Sequence, residues 1–329
     1  MASKATRMGP ILTNQAFFQS RTWREGTESV CRPGESPDAL PVWRQVARLL
    51  RRRGGASAVV TMGPRVSLAY GLACAALGVA SRQVLCEVFL DAPRRRSPAW
   101  RLKTAAFRWV ARRALGAIVN CEGERASVAE RFGMPLDKVV FVPLCTTVGD
   151  PRAVAATRPA RVVTAGRTAR DLETFWGAAR KLPEVAFEAI VGADQALPEG
   201  AAPGNLSVVR ECPWADYMER LGTAAVVALP LLASERSTGQ VVILEAMALG
   251  KAVVTTRQAG TADYVRDGET GLLVGVGDAE GLAAAIRRLL ADAALADRLG
   301  AAALAAVRRE FDPERHAERR LAAVRQLAE

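Results

Sequence analysis

The chain is poor in the side chains that most often move protons or hold metals at neutral pH. Of its 329 residues one is a histidine, His316, and three are tyrosines. The six cysteines, at positions 31, 74, 86, 121, 145 and 212, form no C-x-x-C pair, so a zinc site of the usual Cys/His spacing is not expected. Scattered in this way they read as reduced, buried small hydrophobes of a reducing compartment. No Asp-x-Asp pair occurs anywhere. Long apolar runs are missing too. The N-terminus has no signal-peptide core, and SLAYGLACAALGVAS is too short for a membrane span and reads as a buried helix. A cytoplasmic protein is expected, free or peripheral on the inner face of the membrane.

What the chain does have is positive charge. Lys and Arg number 45 against 34 Asp and Glu, a formal net charge of +11 with a pI near 10.0. Such a balance suits polyanionic partners or a solvated basic surface. The densest stretch is Arg94–Arg113, RRRSPAWRLKTAAFRWVARR, which carries no acid. Its aromatics and cations suit an anionic membrane interface, with Arg95, Trp100, Arg101, Lys103, Arg108 and Trp109 as the contacts. Nucleic acid is the rival reading of the same helix, and core aromatics beneath solvated arginines the plain one.

The length allows two domains. The first forty residues read as irregular, broken by Pro10, Pro33, Gly34, Pro37 and Pro41. From Val42 onward, short β-branched runs alternate with helical patterns, which predicts parallel β-α units covered on both faces. A polar, proline-bearing stretch near Gly149–Pro159 reads as the linker. The expected fold class is therefore α/β, with two doubly wound Rossmann-like domains facing a central cleft and ligands at the strand carboxyl ends. The boundaries are 1–150 and 151–312.

Two stretches of the second half carry chemistry. In ARVVTAGRTARDLETF a strand ends at Gly166, and Arg167 and Arg170 follow in the turn before a helix that Asp171 caps. Two guanidiniums beside a helix N-terminus suit a diphosphate. In ASERSTGQVVILEAMALGKAVVTT, Gly239 lets backbone amides approach a ligand, and a helix from about Gln240 points its free N–H groups at the loop. Glu245 is a lone carboxylate among apolar neighbours. It could accept from two vicinal hydroxyls, be solvated on an exposed face, or pair with Lys251. Glu87 and Asp91, in CEVFLD, close an earlier strand and are candidates for contacting an acceptor hydroxyl.

These blocks resemble a known family. GQVVILEAMALGKAVVTT is similar to the G-x-x-x-L-E-A-M-A-x-G-x-P-V-I-A-T block of the glycosyltransferases of sequence family 4, which have the two-Rossmann GT-B fold. QAGTADYVRDGETGLLV is similar to that family's G-G-x-x-E-x-V-x-D-G-x-T-G-L-L-V block, and VVTAGR resembles the opening of its phosphate loop. The resemblance covers residues 160–329 firmly, and the N-terminal half by topology only. It implies an enzyme moving a sugar from a nucleotide-sugar donor in the C-terminal domain to an acceptor hydroxyl in the N-terminal domain. Retention is implied, with neither metal nor other cofactor. The acceptor would be a glycan, a glycolipid or a small molecule; nucleic acid is not an expected partner. Glu245 matches the glutamate that holds the donor ribose, and Arg167 the arginine that binds the diphosphate, with Arg170 standing in for a lysine. Gly166, Ser237, Thr238, Gly239 and Gln240 line the donor, and the helix at about 313–329 crosses back to the N-terminal domain. Asp263 matches a glutamate of less defined role. One departure is pointed: eight residues before Glu245 the family offers a second glutamate, where this chain has Ser237, with Glu235 out of register. Two alternatives follow: a non-catalytic partner subunit of the same fold, and a basic nucleic-acid-binding protein.

Overall fold

The computed structural model describes residues 9–15, 19–32, 35–36, 39–88, 97–234 and 236–329. The chain forms two compact units: Met1–Val142 together with Pro313–Glu329, and Pro143–Asp312.

In the first unit the strands are β1 (Ile11–Thr13), β2 (Thr27–Ser29), β3 (Ala58–Met62), β4 (Gln83–Cys86), β5 (Gly116–Val119) and β6 (Val139–Phe141). They pair in parallel in the order β2-β1-β3-β4-β5-β6. The helices are α1 (Arg21–Gly26), α2 (Val42–Arg52), α3 (Pro64–Ala76), α4 (Pro98–Ala111) and α5 (Glu124–Phe132). The described residues of the first forty are thus not irregular throughout. They supply β1, α1 and β2, and β1 sits inside the sheet between β2 and β3. Three apolar-to-polar residues, Ile11–Thr13, are too short a run for periodicity to reveal. Ile11 and Leu12 are buried, so burial selects the strand.

The second unit holds β7 (Arg161–Ala165), β8 (Ala186–Val191), β9 (Leu206–Arg210), β10 (Val226–Leu229), β11 (Ala252–Thr256) and β12 (Leu272–Val274). Its helices are α6 (Leu172–Lys181), α7 (Trp214–Gly222), α8 (Gln240–Ala248), α9 (Ala259–Ala262), α10 (Ala279–Ala291) and α11 (Ala293–Glu310). The order is β12-β11-β10-β7-β8-β9, again all parallel. β10 reads VVAL and is fully buried, as a strand covered on both faces must be. One core cluster gathers Phe175, Trp176, Ile286 and Leu299; the other gathers Ile243, Met247, Tyr264 and Val307. Each such buried side chain contributes about 1.5–3 kcal/mol.

The unit boundary falls after Val142, ahead of the expected 150. Residues just beyond it bond to the second unit: Leu144 N–H donates to the Tyr264 hydroxyl at 2.9 Å, and Thr146 N–H to Phe311 O at 2.9 Å. The last helix, α12 (Pro313–Ala328), belongs to the first unit. Glu314 fastens it to the start of α1, accepting from Ser20 Oγ (2.8 Å), Arg21 N (2.6 Å) and Thr22 N (2.9 Å). Among the described residues no helix is long and apolar enough to cross a membrane.

Candidate functional site

In the second unit the chain runs from β7 outward to β9, then returns to β10 and proceeds the other way. β7 and β10 are therefore neighbours whose following loops diverge, the switch point at which open α/β sheets bind ligands. Those two loops are tied together. Asp171 N–H donates to Pro230 O at 3.0 Å, and Leu232 N–H to Ala169 O at 2.9 Å.

The β7 loop is built on Gly166. Its φ of +108° is in glycine's territory, and a Cβ there would stand 2.1 Å from Arg170 Nη2. The missing side chain leaves the space in which the Arg170 guanidinium lies. Arg170 Nε donates to Ala165 O at 2.5 Å and Nη1 to Thr168 O at 2.8 Å. Burial pulls this guanidinium down to about 10, against the opposing influence of Tyr217 and Glu245. Arg167 is exposed and lies against Gly192, just past β8. The two arginines expected to act as a pair thus differ: one is folded back over its own loop, the other is exposed beside Gly192. Asp171 caps α6 as the sequence indicates, accepting from Thr174 N at 3.0 Å.

The β10 loop ends at Gly239, which adopts φ +87° and begins α8 with no side-chain cap. A Cβ there would meet Leu231 Cδ1 at 2.8 Å. With no side chain capping it, the start of α8 offers its first N–H groups in the way a helix start allows. Ser237, Thr238 and Gln240 are all buried. Gln258, at the start of α9, anchors this loop: its Oε1 accepts from Ser234 N at 3.2 Å and its Nε2 donates to Thr238 Oγ1 at 3.4 Å. Gln240 Nε2 donates to Gly260 O.

Glu245 faces inward from the middle of α8 and is 2% exposed, which removes the solvated-face reading. Lys251 is not its partner; that amine donates to Val154 O (2.5 Å) and Ala224 O (3.2 Å). Glu245 Oε1 instead accepts from Thr147 Oγ1 at 2.8 Å, and Oε2 from Tyr217 OH at 2.5 Å. Burial raises its carboxyl above the ordinary range, opposed by these two hydrogen bonds and by the charge of Arg170. Burial and the neighbouring Glu245 raise the Tyr217 phenol. Thr147, Tyr217, Arg170 and Glu245 thus form one cluster. Two hydroxyls on one carboxylate is the pattern a vicinal diol would present. Thr147 and Tyr217 escaped the sequence reading because 98 and 28 residues separate them from Glu245, and no spacing rule links them.

Of the remaining candidates, Glu87 directly follows β4 in the first unit. Asp91, Arg95 and Glu235 lie outside the described residues. On α4, Arg101, Lys103, Arg108 and Trp109 are exposed and Trp100 half-buried, while Phe107 is core. Arg108 also donates to Arg131 O (2.6 Å) and Glu130 O (3.2 Å) at the end of α5. Among the described residues, no group of three or more His, Cys, Asp or Glu side chains could hold a metal ion.

Residues 159–292 match the family model described as Glycosyl transferases group 1. The chain is 45% identical over 91 residues to the lipopolysaccharide core biosynthesis glycosyltransferase LpsE of Rhizobium meliloti, over 28% of this chain and 26% of that protein. It is 38% identical over 87 residues to the N-acetyl-alpha-D-glucosaminyl L-malate synthase of Bacillus anthracis, over 26% of this chain and 23% of that protein. The matched stretch spans about a quarter of the length of these relatives. Among solved structures, Anabaena HepE in complex with UDP superposes with a TM-score of 0.71 at 14% identity, covering 97% of this chain and 100% of that one. Sucrose-phosphate synthase from Thermosynechococcus elongatus superposes with a TM-score of 0.69 at 20% identity, covering 87% and 78%.

Proposed function

We propose that this chain is a glycosyltransferase of the GT-B fold and that it carries a sugar from a nucleotide-sugar donor to an acceptor hydroxyl, a reading supported by the family match over residues 159–292 and by the fold. The observation that carries the reading is the Glu245 cluster at the β7/β10 switch point. A buried carboxylate already holding two hydroxyls can exchange them for those of a ribose. The diphosphate then lies at the open start of α8, within reach of the β7 loop. Arg170 swings from the Ala165 and Thr168 carbonyls to the phosphates, and Arg167 adds a second guanidinium. Together they stabilise the charge that grows on the departing diphosphate, with no metal required. The acceptor binds to the first unit and the anomeric configuration is retained. HepE binds UDP and UDP-glucose, which makes UDP-sugars the first donors to try.

The test is UDP binding by calorimetry. Glu245→Ala is expected to weaken it at least tenfold while the protein stays folded; unchanged affinity would remove Glu245 from the ribose site. A second reading rests on Ser237, which stands where a sugar-binding glutamate is expected: the fold persists in a non-catalytic partner subunit. Slow hydrolysis of a bound nucleotide sugar by the purified protein would end that reading.

The exposed side of the first unit favours membrane association. Helices α2, α3 and α4 pack in succession and expose Trp43, Leu72, Leu77, Leu102 and Trp109. Arg44 lies 5.2 Å over the Trp43 ring and Arg113 3.8 Å over Trp109. Aromatics interleaved with arginines suit an anionic lipid surface, and an acceptor carried on a lipid would be reached there.

A further inference from the structure

At the carboxyl ends of β1, β3 and β4 the first unit holds a polar group that the donor site does not use. Glu87 follows β4 with φ +51°, a left-handed conformation that is costly for a residue bearing a Cβ. Arg320 reaches it from α12. Arg320 is only 2% exposed, and its Nη2 stands 3.9 Å from Glu87 Oε1. Nη1 donates to Gln15 Oε1 at 2.7 Å and lies 3.9 Å from Met62 Sδ. Nε has no hydrogen-bond partner, and the guanidinium sits 5.6 Å from the centroid of the Trp23 ring.

A guanidinium sealed from water needs compensating charge. Among the described residues, Glu87 is the carboxylate within ion-pair distance. The Glu87 side chain is less completely enclosed than Arg320: 34% of it remains exposed. A fully buried cation 3.9 Å behind a partly exposed carboxylate can hold that carboxylate in place. Burial raises the Glu87 carboxyl and Arg320 opposes the rise. The adjoining Cys86 thiol is pushed up to about 12 by its own burial, so it is neutral at pH 7 and Arg320 is the charge that acts on Glu87. Glu87 thus combines a strained backbone with a buried arginine from α12, and that arginine is in turn held by Gln15, just beyond β1.

We propose that Glu87 accepts a hydrogen bond from the acceptor's hydroxyl, and that Arg320 is the positioning residue that keeps Glu87 ionised and aimed. The inference rests on the reading of the chain as a sugar transferase. It concerns the first unit, whereas the donor residues are in the second, so the two can fail separately.

The experiment uses the full chain carrying Glu87→Gln, Arg320→Met or Arg320→Lys. Protein labelled with ¹³C-glutamate is titrated by NMR, and the signal absent from Glu87→Gln identifies Glu87. Arg320→Met is expected to move that titration to higher pH by about one unit or more, and Arg320→Lys by less. With UDP-glucose as donor and water as the hydroxyl, hydrolysis is expected to fall at least tenfold in Glu87→Gln. In Arg320→Met the acidic limb of the rate profile should shift upward, and UDP affinity should hold in every variant. A Glu87 titration indifferent to Arg320→Met would overturn the pairing. Unchanged hydrolysis by a folded Glu87→Gln would overturn the acceptor role. Should Arg320→Met not fold, the Glu87 titration in Arg320→Lys decides the pairing, and hydrolysis by Glu87→Gln still decides the acceptor role. If the unmodified protein does not bind UDP, the donor reading falls and the titration alone decides whether Arg320 acts on Glu87.

Discussion

A single glycine controls the position of Arg170, the residue proposed to neutralise the donor phosphates. Gly166 holds φ +108°, and the space of its missing Cβ is filled by the Arg170 guanidinium. Gly166→Ala is expected to cost about 1–3 kcal/mol of stability through backbone strain alone. It should also displace Arg170 and weaken UDP binding. Urea denaturation and calorimetry read the two effects separately, and an unchanged urea midpoint would show that the loop tolerates a side chain. Gly166, Arg170, Gly239 and Glu245 were all legible in the sequence, because the first three sit at a strand end or helix start that local pattern locates and Glu245 is a lone carboxylate within an otherwise apolar helix. Thr147 and Tyr217 were not. Their part is to hold the Glu245 oxygens, and that part exists only once the Pro143–Asp312 unit has folded.

At the scale of elements, α12 shows how a terminal helix is secured by one carboxylate. Glu314 is partly buried, which alone would raise its pKa. The Thr22 and Arg21 amides and the Ser20 hydroxyl outweigh that and hold it at about 2. A folded-state pKa below the unfolded one gives stability that is present above the unfolded value, about 4.3, and is lost as pH falls toward 2. Thermal melts from pH 6 to pH 2 are expected to show that loss. Glu314→Gln should be less stable at pH 6 by about 1 kcal/mol, the usual cost of a lost cap, and should have a flatter profile below pH 4. A variant whose profile matches the unmodified protein would show that Glu314 does not fasten the helix. Helix α1, in a stretch read as irregular, was missed, but the helices beyond residue 40 were readable from periodicity and caps: Ser97, Asp171, Asp278 and Asp292 each cap the helix that follows. The strand β1 was not, since three residues carry no period and its selection came from burial between two neighbours.

For the whole molecule, charge is divided unevenly. Residues 1–142 and 313–329 hold 27 Lys and Arg against 13 Asp and Glu, whereas residues 143–312 hold 18 against 21. The excess positive charge of the chain thus resides in the first unit, which also exposes Trp43, Leu102 and Trp109. Co-sedimentation should show binding to vesicles containing phosphatidylglycerol but not to vesicles of phosphatidylcholine alone. At about 0.5 M salt, where screening acts over about 4 Å, most of the protein should be released. Equal binding to neutral vesicles would argue against an electrostatic surface. Sequence alone determined the α/β alternation, the helix caps, the glycine turns and the lone carboxylate of α8, since each depends on residues within a few positions of one another. Only the tertiary structure decided that Glu245 is held by Thr147 and Tyr217, that Arg170 folds over Gly166, and that Arg320 backs Glu87. Most of those partners lie far apart along the chain, and hydrogen bonds and burial between distant segments leave no local pattern to read.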